Sequence, residues 1–250
     1  MRLLELLNQN LTQTLTTAIN MVIVDFGGTG VAAGGLPAIA AALTKQAQQH
    51  FALPPPYAYG IGATIRAGSG PHDVHPDEWV IGLLEKPDQP GALGYHDDTP
   101  NGKPFMKIFP KLFDNPNGDE LSVTISHEVL ETLADPNGAR AAQWKDGKFW
   151  AYEVCDAVVQ DSYAIDGIKV SNFCLPPYFE PVQSPTGLKL DWMGLCKKPL
   201  EVRPGGYSQW FDPNKGWQQI QHADKPSKYR IRVSELGWGR SSHRKNALKA

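Results

Sequence analysis

Cysteine is scarce in this chain, long apolar runs are missing, and over one stretch basic residues are missing too. Cys155, Cys174 and Cys196 are the three cysteines. They fit neither a metal-finger spacing nor an even disulfide framework, so reduced, buried thiols in a cytoplasmic setting are the expectation. No run approaches the roughly 18–20 apolar residues that a membrane span requires. The first residues, M-R-L-L-E-L-L-N-Q-N, are interrupted by Glu5 and by Asn and Gln, which excludes a secretory h-region. Leu3, Leu7, Leu11, Leu15 and Ile19 recur every four residues instead, which predicts an N-terminal helix over 1–20 that packs on the body or on a neighbouring chain. The most informative absence lies in the middle. From Leu112 to Ala139 there are six acids and no Lys or Arg.

The 250 residues suffice to bury one core. Gly 24 and Pro 21 predict a chain rich in loops and turns. The net charge of −2 hides an asymmetry: Lys225–Lys249 carries eight basic residues and one acid, leaving 16 Lys and Arg against 25 Asp and Glu in the first 224. The reading is a main domain over 21–224 and a basic tail over 225–250. That tail is either solvated or an arm that docks on an acidic partner. Nothing else points to base readout, so neither nucleic acid nor a membrane is an expected partner.

The acid-rich stretch contains S-V-T-I-S-H-E-V-L-E-T-L-A-D-P at 122–136. On a helical wheel Val123, Ile125, Val129, Leu130, Leu133 and Ala134 cover one side. Thr124, His127, Glu128, Glu131 and Asp135 crowd the other. Ser122 is the expected N-cap and Asp135-Pro136 the expected stop. A wet acidic face is the plain reading of such a pattern, but solvated helix faces usually mix both signs. One imidazole and three carboxylates without a basic residue call for a cation. In H-E-x-x-H hydrolases the ligands at i and i+4 meet one metal, and the Glu at i+1 is the general base toward the attacking water. Here the pattern is H-E-x-x-E. His127 and Glu131 are the candidate ligands and Glu128 the candidate base. A hard oxygen in place of the second imidazole keeps Zn²⁺ as first choice and admits Mn²⁺, Fe²⁺ or Ca²⁺.

Met21–Asp25 reads as a strand, and the following F-G-G-T-G as a flexible glycine turn rather than a phosphate loop, since the next helix begins too late, near Leu36-Pro37. Pro37–Phe51 has helical composition. Tyr57–Arg66, Glu78–Glu85, Gly91–His96 and Lys103–Phe109 read as strands, the third a glycine-containing edge strand. After the acid-rich helix, Trp144–Trp150 is a hairpin through Asp146-Gly147. It delivers Ala151–Val159, a run too apolar for an exposed loop that carries Glu153 and Asp156. Ile165-Asp166-Gly167 turns a second hairpin. From Cys174 onward, proline and scattered aromatics (Trp192, Trp210, Trp217) predict a loop-rich C-terminal half.

With these residues in view the chain resembles a zincin-like group of proteins from bacteria and their phages. The resemblance is carried by G-A-L-G-Y-H-D at 91–97, S-H-E-V-L-E-T-L-A-D-P at 126–136, Y-E-V-C-D at 152–156 and D-G-I-K-V-S-N-F at 166–173. It covers about the middle third. It implies an α+β, metallopeptidase-like fold in which a mixed sheet backs the metal helix, and a metal at His127 and Glu131 with Glu128 as base. The chain departs from the well-known zincins in lacking the second His and any H-x-x-G-x-x-H extension. Met193 is a candidate for the residue beneath the metal, with ordinary core packing the plainer reading.

Two functions follow as expectations. The first is a metal-dependent hydrolase, a peptidase by resemblance, with His96, Tyr95 or Tyr152 near the substrate to stabilise an oxyanion. The second is a non-catalytic phage or prophage assembly protein, virion-associated, in which the cation or acidic cluster is a structural staple. In that case the N-terminal helix and basic tail would make homo-oligomer or assembly contacts. The third metal ligand is Glu153 or Asp156, with Asp156 preferred for its shorter side chain. Asp135 lies about 12 Å along the helix axis from His127, too far to share its ion, and is assigned to capping or to supporting the ligands.

Overall fold

The computed structural model describes residues 18–89, 92–180 and 187–222, and the backbone of 229–233. Strand β1 (Ala18–Asp25) leads to helix α1 (Leu36–Lys45), which runs into a π turn at Gln46–Phe51, and then to β2 (Gly62–Ala67) and β3 (Trp79–Leu83). Next come β4 (Gly94–Asp98), β5 (Pro104–Ile108) and the acid-rich helix α2 (Asp119–Ala134). These strands form one sheet in the order β2-β1-β3-β5-β4, parallel except for β4, which runs antiparallel at the edge. Period-two alternation sets its faces. Met21, Ile23, Ile65, Ile81, Leu83, Met106 and Ile108 all point into the core that α1 and α2 cover. Register places Ala67, Ile23, Ile81, Met106 and His96 in one row across the sheet. The row is apolar until its last member, which puts an imidazole on the covered face of the edge strand.

Helix α2 starts one turn before the expected Ser122. Gly118 is the N-cap, Asp119 and Glu120 occupy the first turn, and the Ser122 hydroxyl donates to the Asp119 carbonyl (3.1 Å) inside the helix. Two acids at the positive end of the helix dipole do the work expected of a capping serine. The stop at Asp135-Pro136 is where the sequence puts it. Closeness of the helix to the sheet depends on Gly94: a Cβ there would stand 3.1 Å from Thr124 Cγ2 and 3.2 Å from Glu128 Cγ.

Behind α2 lies the hairpin of β8 (Ser162–Ile165) and β9 (Ile168–Ser171), turned through Asp166 (φ 51°) and Gly167 (φ 84°). A buried neutral network ties the two together. The Ser126 hydroxyl donates to Gln46 Oε1 (2.7 Å) and accepts from the Ser171 amide (2.9 Å), and Gln46 Nε2 donates to the Ser171 carbonyl (2.8 Å). The second five-stranded sheet has the order β12-β11-β10-β7-β6. It is built from β6 (Ala141–Gln143), β7 (Phe149–Ala151), β10 (Tyr207–Asp212), β11 (Gly216–His222) and β12 (Tyr229–Val233). A short helix, α3 (Pro176–Phe179), precedes its C-terminal strands.

The α+β expectation holds, with several corrections of extent. Ile19, assigned to an N-terminal helix, belongs to β1, and the rest of that helix falls outside the described residues. The strand expected from Tyr57 begins at Gly62. Trp210 and Trp217, expected in loops, sit in β10 and β11. Trp210 pairs with Trp150 across the sheet, their rings 4.9 Å apart. Cross-strand aromatic pairing made strands of sequence whose alternation is weak. Part of the expected basic tail, Tyr229–Val233, is the edge strand β12, and 234–250 lie outside the described residues. Among the described residues no helix is long and apolar enough to cross a membrane.

Candidate metal centre

Two elements carry the site to one place. Helix α2 presents His127, Glu128 and Glu131, and the segment after β7 crosses it with Glu153, Cys155 and Asp156. That segment is irregular from Tyr152 to Cys155 and then makes a single 3₁₀ turn at Asp156–Val158. It is nonetheless buried throughout. Backbone bonds anchor it: the Cys155 amide donates to Glu131 Oε1 (3.3 Å) and the Cys174 amide to the Val154 carbonyl (2.6 Å).

His127 Nε2 stands 3.3 Å from Glu131 Oε1 and 3.3 Å from Asp156 Oδ1. Glu131 is 0% exposed, Asp156 3% and His127 8%. Asp156 Oδ1 is buried with no hydrogen-bond partner. A buried carboxylate oxygen without a donor costs on the order of 1–3 kcal/mol or more. A divalent cation bound at His127 Nε2, 3.3 Å away, would satisfy it. The Cys155 thiol is a further donor in reach, since one ligand atom each from His127, Glu131 and Cys155 lie within 4.8 Å of one another. The three residues therefore offer nitrogen, oxygen and sulfur, a mixture that suits Zn²⁺ better than Ca²⁺. Glu153 lies buried beside them and its charge acts on Asp156.

The electrostatics carry the mark of an acid excess. Burial and the charge of Glu131 push the Asp156 carboxyl up to about 7, against the pull of His127. Burial alone would depress His127, but Glu131, Asp156 and Glu128 outweigh it and hold the imidazole well above its usual value. Burial and Glu131 likewise push the Cys155 thiol up. Bringing these groups into so small a volume favours their protonated forms.

His96 completes the wall. Its Nε2 lies 3.1 Å from the Asp135 carbonyl, which can only accept, so that nitrogen is the donor. Its Nδ1 faces Glu128 Oε2 at 3.5 Å and has no hydrogen-bond partner. The Asp135 carboxylate serves the loop after the helix, accepting the amides of Ala139 and Arg140 at 2.9 Å each.

Both tyrosines leave the site. Tyr95 is on the opposite face of β4 from His96. Its hydroxyl donates to Asp88 (2.7 Å) and accepts from Lys107 (2.7 Å), because adjacent strand residues point to opposite sides. Tyr152 is fully buried in an aromatic stack, 4.2 Å from Phe179 and capped by the Arg140 guanidinium at 4.0 Å. Met193 is neither beneath the site nor in the core; it is 37% exposed. Cys155 was legible as a buried thiol but not as a donor, and its one signal is adjacency to Asp156. The glycine turn closes on itself, with Asp25 accepting from the Gly27 amide and the Thr29 hydroxyl at 2.8 Å each. Comparison with protein-family models, curated proteins and solved structures returned no match.

Proposed function

We propose that the chain is a metal-dependent hydrolase of zincin-like architecture, acting on peptide bonds, with a divalent cation held by His127, Glu131 and Asp156 and with Cys155 in reach. The observation that carries this reading is the buried Asp156 oxygen, unpartnered for hydrogen bonds, beside a histidine that faces two carboxylates at 3.3 Å. A mixed sheet whose antiparallel edge strand flanks the helix supports the architecture. When bound, the cation supplies Lewis acidity, polarising a scissile carbonyl and lowering the pKa of water. Glu128, one residue off the ligand stripe, is the general base that takes the proton of the attacking water. The Tyr95 hydroxyl is engaged by Asp88 and Lys107 and the Tyr152 ring is stacked on Phe179, so neither is assigned to the oxyanion.

A second reading has its own support. Glu131 is fully buried and His127 nearly so, which fits a closed, structural cation in a non-catalytic assembly protein. Reconstituted protein, with Zn²⁺ or Mn²⁺, separates the two when tested against a broad peptide panel. Cleavage lost in Glu128→Gln with the metal retained supports the hydrolase. Metal bound without cleavage transfers the conclusion to the structural reading.

A further inference from the structure

A second donor group adjoins the first. One ligand atom each from His96, Glu128 and Glu131 lie within 4.8 Å of one another, and all three residues are buried. Glu131 belongs to both groups. His96 comes from the edge strand and meets Glu128, whereas Asp156 meets His127, so the two groups share Glu131 through different neighbours.

The state of His96 distinguishes this from a simple cluster of acids. The imidazole is 1% exposed. Its Nε2 is engaged by the Asp135 carbonyl, and its Nδ1 is buried with no hydrogen-bond partner. That Nδ1 stands 3.5 Å from Glu128 Oε2. A cation bound to both atoms would satisfy a buried nitrogen and a buried carboxylate at once. A carbonyl that pins one ring nitrogen while the other points at carboxylates is the arrangement that metal-binding histidines use.

We propose that His96, Glu128 and Glu131 form a second divalent-cation locus, sharing Glu131 with the first. Its donors are one nitrogen and carboxylate oxygens, with no sulfur, so it takes a harder ion such as Mn²⁺ or Fe²⁺ as readily as Zn²⁺. The inference rests on the proposed function and extends it. A cation on Glu128 occupies the oxygen that the general base needs. Filling the second locus therefore stops the hydrolysis that the first locus permits, and activity rises and then falls with metal concentration.

The test is equilibrium dialysis of the metal-stripped full-length protein against Zn²⁺ alone, the ion both loci accept, followed by metal analysis. Wild type is expected to bind two equivalents. His96→Gln and Glu128→Gln are each expected to bind one. Glu128→Gln is isosteric, so it serves where the His96 variant fails to fold, and the wild-type stoichiometry needs no variant. One equivalent in wild type overturns the second locus and leaves the proposed function standing. No equivalent overturns both. Two equivalents retained in either folded variant overturn the locus by placing the second ion elsewhere.

Discussion

Two acidic sites in this molecule solve the same problem in opposite ways. On the first sheet, Arg66 reaches between Glu78 and Asp73. Its Nε and Nη2 donate to the two Glu78 oxygens (2.6 and 2.8 Å), its Nη1 to Asp73 Oδ2 (3.0 Å) and its Nη2 also to the Asp73 carbonyl (2.7 Å). Ser69 and His75 amides supply further donors. Hydrogen bonds from Ser69 and Arg66 pull the Asp73 carboxyl down to about 2. At the helix α2 site the carboxyl of Asp156 moves the other way, up to about 7. The chain brings its own cation to the first cluster. At the second it brings two imidazoles to Glu128, Glu131 and Asp156, and it leaves His96 Nδ1 and Asp156 Oδ1 without hydrogen bonds. The partly exposed Arg66 cluster is satisfied by its own side chains and amides; a buried cluster that leaves atoms facing each other is built for something else.

The largest effect that would break this contrast is catalytic. Glu128→Gln should reduce peptide cleavage by about 10²–10⁴-fold while the first equivalent of metal stays bound. Steady-state kinetics beside metal analysis gives the answer, and equal loss of metal and cleavage would place Glu128 among the ligands of the first ion.

Acidity should pull the two clusters in opposite directions. Asp156, at about 7 in the folded chain against roughly 3.9 unfolded, takes up a proton on folding. Its contribution is complete below about pH 4 and is lost as pH rises toward 7. His127 adds to the same trend: its raised pKa contributes fully below about 6.5 and is lost as pH rises through the folded value. Asp73 has the reverse sign, contributing above about 3.9 and losing that as pH falls toward 2. Metal-free protein should therefore melt at a lower temperature at pH 8 than at pH 5. A divalent cation, replacing those protons, should remove or invert the difference. Melting curves at both pH values, with and without Zn²⁺, decide this. A metal-free protein more stable at pH 8 would contradict the account of the site.

Smaller effects sharpen the comparison. Arg66→Met should destabilise the fold by about 1–3 kcal/mol, since Glu78 is buried and loses both guanidinium donors. Metal stoichiometry should not change. Gly94→Ala should cost roughly 1–3 kcal/mol through overpacking against Thr124 and Glu128. Denaturant titration measures both. A Gly94 variant as stable as wild type would mean that the helix can move off the edge strand.

How much of this could be read from the chain depends on distance along it. The amphipathic face of α2, its stop at Asp135, the hairpins at Asp146-Gly147 and Asp166-Gly167 and the alternation in β1 and β3 are local patterns, and they are legible. So is the pairing of His127 with Glu131, which helical geometry imposes. Asp156 could be nominated because a carboxylate in an apolar run needs a partner. The role of His96 was not legible, because it depends on a row of residues from five strands that ends opposite Glu128. Tyr95, its neighbour, looked equally suitable until strand alternation turned it away. Gly118 as the helix start and the Trp150–Trp210 pair were hidden for the same reason: in each, tertiary contacts or helix-dipole electrostatics prevail over a weak local signal.

The central claim is that the helix α2 cluster holds a divalent cation, and metal content tests it most directly. Full-length protein, stripped and reconstituted with Zn²⁺, should carry at least one tightly held equivalent after dialysis. Folded His127→Ala should not hold that equivalent, and Arg66→Met should hold it unchanged. A wild-type protein that emerges from reconstitution without metal would contradict the account.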